Sequence, residues 1–249
     1  MKLLTSLRIY RDEARKLRPG GPPTGSDWKL LKFFPDWRRS LRPGANPLAD
    51  RQPWLTFPTI AFLKQTLTSE MRVFEYGSGG STLFFCQRAG EVVSVEHDAA
   101  WAEKVQNALA QNGVGNDKLQ LIEPEPEEGS ARRDPADPEG FVSSAECYRG
   151  KSFRKYAAAI STWPDGYFDF VVVDGRARPA CIHQAAPKVK SGGWLLLDNA
   201  ERGHYHRALT EFKEPHWLKR DFSGPGPHAL SFWSTWGWQK VAKQSDRRL

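Results

Sequence analysis

The sequence predicts an α/β protein: a doubly wound, mostly parallel seven-stranded sheet with an antiparallel C-terminal hairpin and an irregular basic N-terminal arm. Three observations predict it. From Arg72 onward, short apolar strands alternate with helix-compatible stretches. The strands include continuous apolar runs, such as F-D-F-V-V-V-D at 168–174 and W-L-L-L-D at 194–198, which suit strands covered on both faces of a parallel sheet. The chain then changes character. Residues 217–222 and 229–240 read as two strands joined by S-G-P-G-P-H, with Leu230, Phe232, Trp236 and Trp238 on one face at period two.

Taken in order, residues 2–18 read as an amphipathic helix with Leu3, Leu7, Tyr10, Ala14 and Leu17 on one side and Arg and Lys on the other. Residues 18–56 are punctuated by Pro and Gly too heavily for one long element. They read as a wrapped arm with a helix near Trp28–Phe34 and with Trp28, Phe33, Phe34, Trp37 and Trp54 as anchors. A helix over 57–69 carries Pro58 in its first turn, where the missing N–H costs little. Strands follow at 72–76, 91–96, 118–123, 168–174 and 193–198, and helices at 81–89, 99–112 and 179–190. Right-handed crossovers wind such a pattern into one open sheet. Residues 124–150 interrupt the rhythm with a charged, proline-rich insertion that reads as a lid or a disordered loop. A helix over 150–162 follows it. The domain plan is therefore an N-terminal helix and arm (1–52), a main domain (53–241) and a polar tail (242–249).

The 249 residues suffice for one large α/β domain with appendages. Ten Trp and fourteen Phe supply large rings for a core. Three scattered cysteines, Cys86, Cys147 and Cys181, form neither a disulfide framework nor a zinc spacing, which points to a reducing, cytoplasmic setting. Residues 1–51 hold twelve Lys/Arg and five Asp/Glu, an excess equal to the net charge of +7 of the whole chain. The basicity thus belongs to the leader. It is compatible with a solvated face, a membrane surface, another polyanion or an acidic partner. The first helix suits interfacial membrane binding, but suits packing on the main domain or on a second copy in a homodimer better. No run approaches the ~20 apolar residues of a membrane span, and Arg8 and Arg11 interrupt any signal-peptide core.

Residues 72–98 say most about function. A strand runs into Gly77, Gly79 and Gly80, a helix follows, and a second strand ends in Glu96, His97 and Asp98. This is a nucleotide-cofactor cradle with an acid placed to take ribose hydroxyls. The third glycine of a dinucleotide fingerprint is replaced by Thr82, and Glu75 stands two residues before the first glycine. A carboxylate there would repel a pyrophosphate and favour a cationic tail. S-adenosylmethionine, with a sulfonium and an ammonium and no phosphate, fits better than NAD.

On these residues the chain resembles class I S-adenosylmethionine-dependent methyltransferases, over about Pro53 to Lys240. The resemblance rests on E-Y-G-S-G at Glu75–Gly79, S-V-E-H-D, V-V-V-D-G, G-G-W-L-L-L-D-N and the terminal hairpin. It implies a Rossmann-like methyltransferase fold. It implies that Glu75, Gly77, Ser78, Gly79, Ser81 and Thr82 line the methionine end of S-adenosyl-L-methionine, and that Glu96 binds the ribose. His97 is placed to flank the adenine. Asp98 reads as the cap of the following helix, and Trp101 as core or as an adenine-side wall.

Ligands bind outside the carboxyl ends of parallel strands, where Asp174, Asp198 and Asn199 stand. Two carboxylates and an amide oxygen suit a hard cation such as Mg2+. The same three residue types bind the metal in the catechol and caffeoyl-coenzyme A O-methyltransferase branch, which this chain resembles most closely. Such an ion would lower the pKa of an acceptor oxygen. One departure is Ala177, where that branch carries a catalytic Lys. Arg176 and Arg178 flank it and are suited to grip a substrate carboxylate or phosphate. Asp174 and His204 are the candidates for proton transfer. Cys181 reads as core.

The resulting expectation is an S-adenosylmethionine-dependent O-methyltransferase acting on a small or carbohydrate-like acceptor, with metal assistance through Asp174, Asp198 and Asn199. Two alternatives remain: a non-catalytic binding module docked through its basic N-terminus, and a nucleic-acid methyltransferase, against which the neutral main domain argues.

Overall fold

The computed structural model describes residues 2–17 and 29–242. Helix α1 (Leu3–Lys16) is followed by α2 (Phe34–Ser40), α3 (Pro47–Asp50) and α4 (Phe57–Thr66). Proline occupies the first turn of α2, α3 and α4, a position whose N–H has no intrahelical partner in any case. Asn46 and Thr56 cap α3 and α4 through their side-chain oxygens. Of the helix expected near Trp28–Phe34, residues 29–31 are helical. The proposed anchor Trp28 and the tail beyond 242 lie outside the described residues.

The strand–helix alternation then runs β1 (Arg72–Tyr76), α5 (Gly80–Cys86), β2 (Glu91–Glu96), α6 (Ala99–Gln111) and β3 (Asp117–Leu121). The short β4 (Glu125–Pro126) pairs antiparallel with β5 (Lys151–Ser152), so the 124–150 insertion is a folded excursion closed at its base. There follow α7 (Arg154–Ala158), β6 (Phe168–Val173), α8 (Arg178–Ala185), β7 (Val189–Asp198), β8 (Trp217–Asp221) and β9 (Thr235–Lys240). The helix expected over 150–162 is shorter, because 151–152 pairs with β4 and 159–162 tightens to 3-10 geometry.

Seven strands form one sheet in the order β3-β2-β1-β6-β7-β9-β8. The first five are parallel, and β9 is antiparallel to both β7 and β8. This is the expected Rossmann-like arrangement. The chain order reverses between β1 and β6, which opens a crevice at their carboxyl ends.

Alternate residues of the central strands feed two separate cores. Phe74, Tyr76, Val171 and Val173 pack with α7 and α8 on one face. Val73, Phe170, Val172 and Leu196 pack on the other with Tyr10, Trp37, Leu55 and Phe57. The arm expected as an appendage is therefore one cover of the sheet, and its aromatic residues complete that core.

The C-terminal hairpin differs from expectation. Its second strand starts at Thr235, so Leu230 and Phe232 lie in a loop that spans 222–234. The backbone of this loop finds partners in the arm. Trp37 Nε1 donates to the Ala229 carbonyl at 2.8 Å, Glu13 accepts the Phe232 N–H at 3.2 Å, and the Phe57 N–H donates to the Pro225 carbonyl at 2.7 Å. Gly224 and Trp233 still pair as one isolated antiparallel bridge, and the segment between them bonds outside the sheet.

Candidate active site

The glycine turn after β1 is held open by a small polar lattice. Gly77 takes φ +92°, and a Cβ there would lie 3.2 Å from the Gly175 Cα, so the two strand ends meet backbone to backbone. A Cβ at Gly80 would lie 2.1 Å from the Pro47 carbonyl oxygen, which lets the arm seat on the start of α5. Thr82, at the third position of α5, accepts the Gly79 N–H at 3.0 Å and donates to Glu75 at 2.5 Å. The hydroxyl thereby does the reciprocal half of a helix cap, which explains the missing third glycine.

Glu75 itself is 1% exposed and accepts from Thr82 and from Ser94, its register partner on β2, at 2.6 Å. Burial pushes its pKa up to about 7 against the pull of those hydroxyls. Glu75 and Thr82 are absent from the lining of the adjacent cleft. Of the residues expected to line the methionine end of the cofactor, Glu75 and Thr82 thus stand behind the turn and off the cleft surface. Both brace the turn from behind.

Glu96 is the acid that faces the cleft. Oε2 accepts the Ser78 N–H and hydroxyl at 3.0 Å, while Oε1 accepts the N–H groups of His97 at 2.7 Å and Asp98 at 3.0 Å. His97 Nδ1 lies 2.7 Å from the same Oε1. Burial works against the ionised form, but these donors prevail and bring the pKa down to about 2. The carboxylate is therefore fixed and charged on the cleft wall. Asp98 caps α6 by accepting the Trp101 N–H, as expected, and Trp101 Nε1 donates to the Ser78 carbonyl at 2.8 Å. From the insertion, the Tyr148 hydroxyl reaches His97 Nε2 at 2.9 Å.

These residues open onto one cleft of about 770 Å3, within the range of small-molecule sites. Gly77, Ser78, Gly79, Gly80, Ser81, Glu96, His97, Asp98 and Trp101 line one end. Asp174, Arg176, Asp198, Asn199, Glu201 and Arg202 line the other, with Trp54 from the arm and Ser231, Phe232 and Trp233 from the 222–234 loop. The sequence reading missed that loop, because it placed Phe232 in a strand.

At the far end of the cleft the structure gives the two arginines different surroundings. Arg178 is 8% exposed and lies clamped between strand ends. Nε donates to the Gly175 carbonyl at 3.0 Å, Nη1 to the Asp198 carbonyl, and Nη2 to the carbonyl and carboxylate of Asp174 at 3.0 and 2.8 Å. Its fork is occupied, so it does not serve as a substrate grip. Arg176 is exposed over the Tyr148 ring at 5.5 Å and remains open to the cleft.

The residues expected to hold a metal have partners of their own. Asp198 Oδ1 accepts from Trp233 Nε1 and from the Thr235 hydroxyl, both at 2.7 Å, and Asp174 is paired with the Arg178 guanidinium. A buried cation and two neutral donors thus meet Oδ1 of each carboxylate, so the protein itself braces the pair expected to hold a metal with Asn199.

Burial and the charge of Asp174 push Asp198 up toward the neutral form. Burial also raises Asp174, opposed by Arg178. With 33% of its side chain exposed to the cleft, Asp174 keeps some solvation that tempers this rise. His204 lines a small side recess with Arg202 and Tyr205, not the cleft. Burial and then Arg202 lower its pKa, but its ring lies against Tyr205 at 4.2 Å, away from the cleft lining. Cys181 is fully buried in the core.

Comparison with known proteins now defines the class. Residues 74–200, just over half of the chain, match the family described as a methyltransferase domain. The chain belongs to that family and is an S-adenosylmethionine-dependent methyltransferase. No curated protein matches at a significant level. Among solved structures, "a putative O-methyltransferase from Klebsiella pneumoniae" aligns at 14% identity with a TM-score of 0.56, over 96% of this chain and 100% of that one. "A putative methyltransferase from Streptococcus mutans in complex with SAH" aligns at 13% identity with a TM-score of 0.51, over 74% and 96%. An rRNA methylase from Streptococcus thermophilus aligns at 12% identity and 0.51, over 74% and 95%. At such identities these likenesses describe the fold alone.

Proposed function

We propose that the enzyme methylates a hydroxyl oxygen of a small polar acceptor, carbohydrate-like in its hydrogen bonding. One observation carries this reading: a single cleft joins the glycine turn and Glu96 to Asp174, and its far end mixes Trp54, Phe232 and Trp233 with Asn199, Glu201, Arg202 and Ser231. Aromatic faces beside amide, hydroxyl and charged groups suit a compact polar molecule.

S-adenosylmethionine, when bound, supplies the electrophilic methyl group. The residues present fit it. Gly77, Ser78, Gly79 and Ser81 offer a narrow backbone wall, Glu96 offers a charged carboxylate for ribose hydroxyls, and His97 and Trp101 border the base end. Asp174 accepts the proton of the acceptor hydroxyl. Its carboxyl faces the cleft, and burial makes it a stronger base than an exposed aspartate. Arg178 positions Asp174, and Trp233 with Thr235 positions Asp198. Alignment of nucleophile and methyl group supplies most of the remaining acceleration. Arg176, joined by Arg202, takes an acidic substituent where the acceptor has one. In this reading no step runs through a divalent ion, since Arg178 already places a positive charge against Asp174.

Calorimetric titration with S-adenosylhomocysteine tests the cofactor site, and no binding at millimolar concentration would reject it. A methyl-transfer assay over sugars, phenols, carboxylic acids and RNA tests the acceptor. Transfer to RNA alone would replace this reading with that of a nucleic-acid enzyme. Activity is expected to survive EDTA; dependence on Mg2+ that vanishes in Asp198→Ala would restore the metal.

A further inference from the structure

Helix α1 has two unlike sides. One is docked: Tyr10 and Ser6 are buried, the Tyr10 hydroxyl donates to the Leu30 carbonyl, and Glu13 accepts the Phe232 N–H. The Tyr10 and Phe232 rings meet edge to face at 4.8 Å. The other side is open. Leu3, Leu4 and Leu7 are 51%, 81% and 41% exposed, and Arg8, Arg11 and Arg15 are exposed beside them. At about 100° per residue, the order around the helix is Leu3, Leu7, Arg11, Leu4, Arg15, Arg8, all within roughly 140° of its circumference. The leucines lie in the first two turns, with Arg8 beside Leu7, and Arg11 and Arg15 follow in the turns after. Asp12 lies at the margin of this sector and Glu13 on the docked side.

Large exposed leucines in contiguous turns are uncommon on a solvated helix, and here they share their face with cations. The ion pairs of Arg8 and Arg11 with Asp12, at 3.8 and 3.4 Å, are exposed and hold the arginines only weakly. A face of this composition matches the boundary of an anionic bilayer, where apolar side chains enter the acyl region and arginines meet phosphates. Among the described residues no helix is long and apolar enough to cross a membrane, so the contact is peripheral. We propose that the outer face of α1, through Leu3, Leu4, Leu7, Arg11 and Arg15, docks the enzyme on an anionic lipid surface. The inner face of the same helix holds Phe232, a cleft residue, so the bilayer would lie about one helix diameter, ~10 Å, from the cleft wall.

Flotation of the full chain with vesicles tests this. The chain is expected to float with vesicles containing phosphatidylglycerol, to remain behind with pure phosphatidylcholine, and to release as salt is raised. Leu4→Glu with Leu7→Glu should abolish flotation. Arg11→Ala with Arg15→Ala should lower the partition coefficient roughly thirtyfold, from the usual value of a basic residue near an anionic surface. Both variants change exposed positions and should titrate S-adenosylhomocysteine as the parent does, which separates docking from folding. No flotation with phosphatidylglycerol, or unchanged flotation of the leucine variant, overturns the proposal. A dimer seen by sedimentation and dissolved by the leucine substitutions would assign the face to a second copy instead.

Discussion

Trp233 Nε1 donates a 2.7 Å hydrogen bond to Asp198 Oδ1 across 35 residues of sequence. It ties the 222–234 loop to the end of β7 and joins a cleft wall to the carboxyl pair at the reacting end. Trp233→Phe keeps most of the ring and removes the donor. Leaving a buried acceptor short of a partner costs about 1–3 kcal/mol, read as a lower urea midpoint. Because this bond favours the ionised form of Asp198, its loss should hold that carboxyl neutral to higher pH.

Glu75 and Glu96 should separate cleanly. Glu96→Gln removes the charge that faces the cleft, and S-adenosylhomocysteine should bind roughly ten- to a hundredfold more weakly, the usual scale for a hydrogen bond to a charged group. Glu75→Gln should change that affinity by only a few fold, because its carboxyl lies behind the turn. Calorimetry on both variants decides the assignment.

The same two residues set opposite pH trends in stability. Glu75 has its pKa raised from 4.5 to about 7, so the folded state binds the extra proton, and its contribution is present below 4.5 and lost as pH rises through 7. Glu75→Gln should therefore flatten the fall of unfolding free energy over that window, by an amount on the order of 3 kcal/mol. Glu96 has its pKa lowered to about 2, so its contribution is present above 4.5 and lost as pH falls toward 2. Urea titrations at several pH values check both signs.

Arg178 and Arg176 are two residues apart and should behave unlike each other. Arg178→Met leaves half-buried Asp174 beside Asp198 without its cation and empties four hydrogen bonds of the guanidinium, which should cost about 2–3 kcal/mol, below the full scale for breaking a buried pair. Arg176→Ala removes an exposed side chain and should leave stability within about 0.5 kcal/mol while raising the KM of an acidic acceptor. Thermal unfolding and acceptor kinetics together distinguish the two.

Much of the architecture was legible in the chain because it is written in local periodicity. The apolar runs at 168–173 and 194–198, the glycine turn at 77–80 and the acid ending β2 each depend on a few neighbouring residues. Asp98 as a helix cap and Cys181 as core were likewise local readings. The errors fell where a side chain chooses among distant partners. Glu75 and Glu96 look alike in sequence, yet Ser94 and Thr82 draw one behind the turn, and backbone N–H groups hold the other on the cleft. Arg176 and Arg178 look alike until three strand-end carbonyls claim Arg178. Phe232 fits a strand by period two, but Glu13, some 219 residues earlier, takes its N–H.

By itself the sequence determined the methyltransferase fold, the glycine turn after β1 and the crevice at the carboxyl ends of the strands, since strand patterning and turn chemistry act over short stretches. Only the tertiary structure decided which carboxylates face the cleft, which arginine is free, and that the arm is part of the core. Those outcomes turn on hydrogen bonds and burial between residues far apart in the chain, and no local pattern encodes the competition among them.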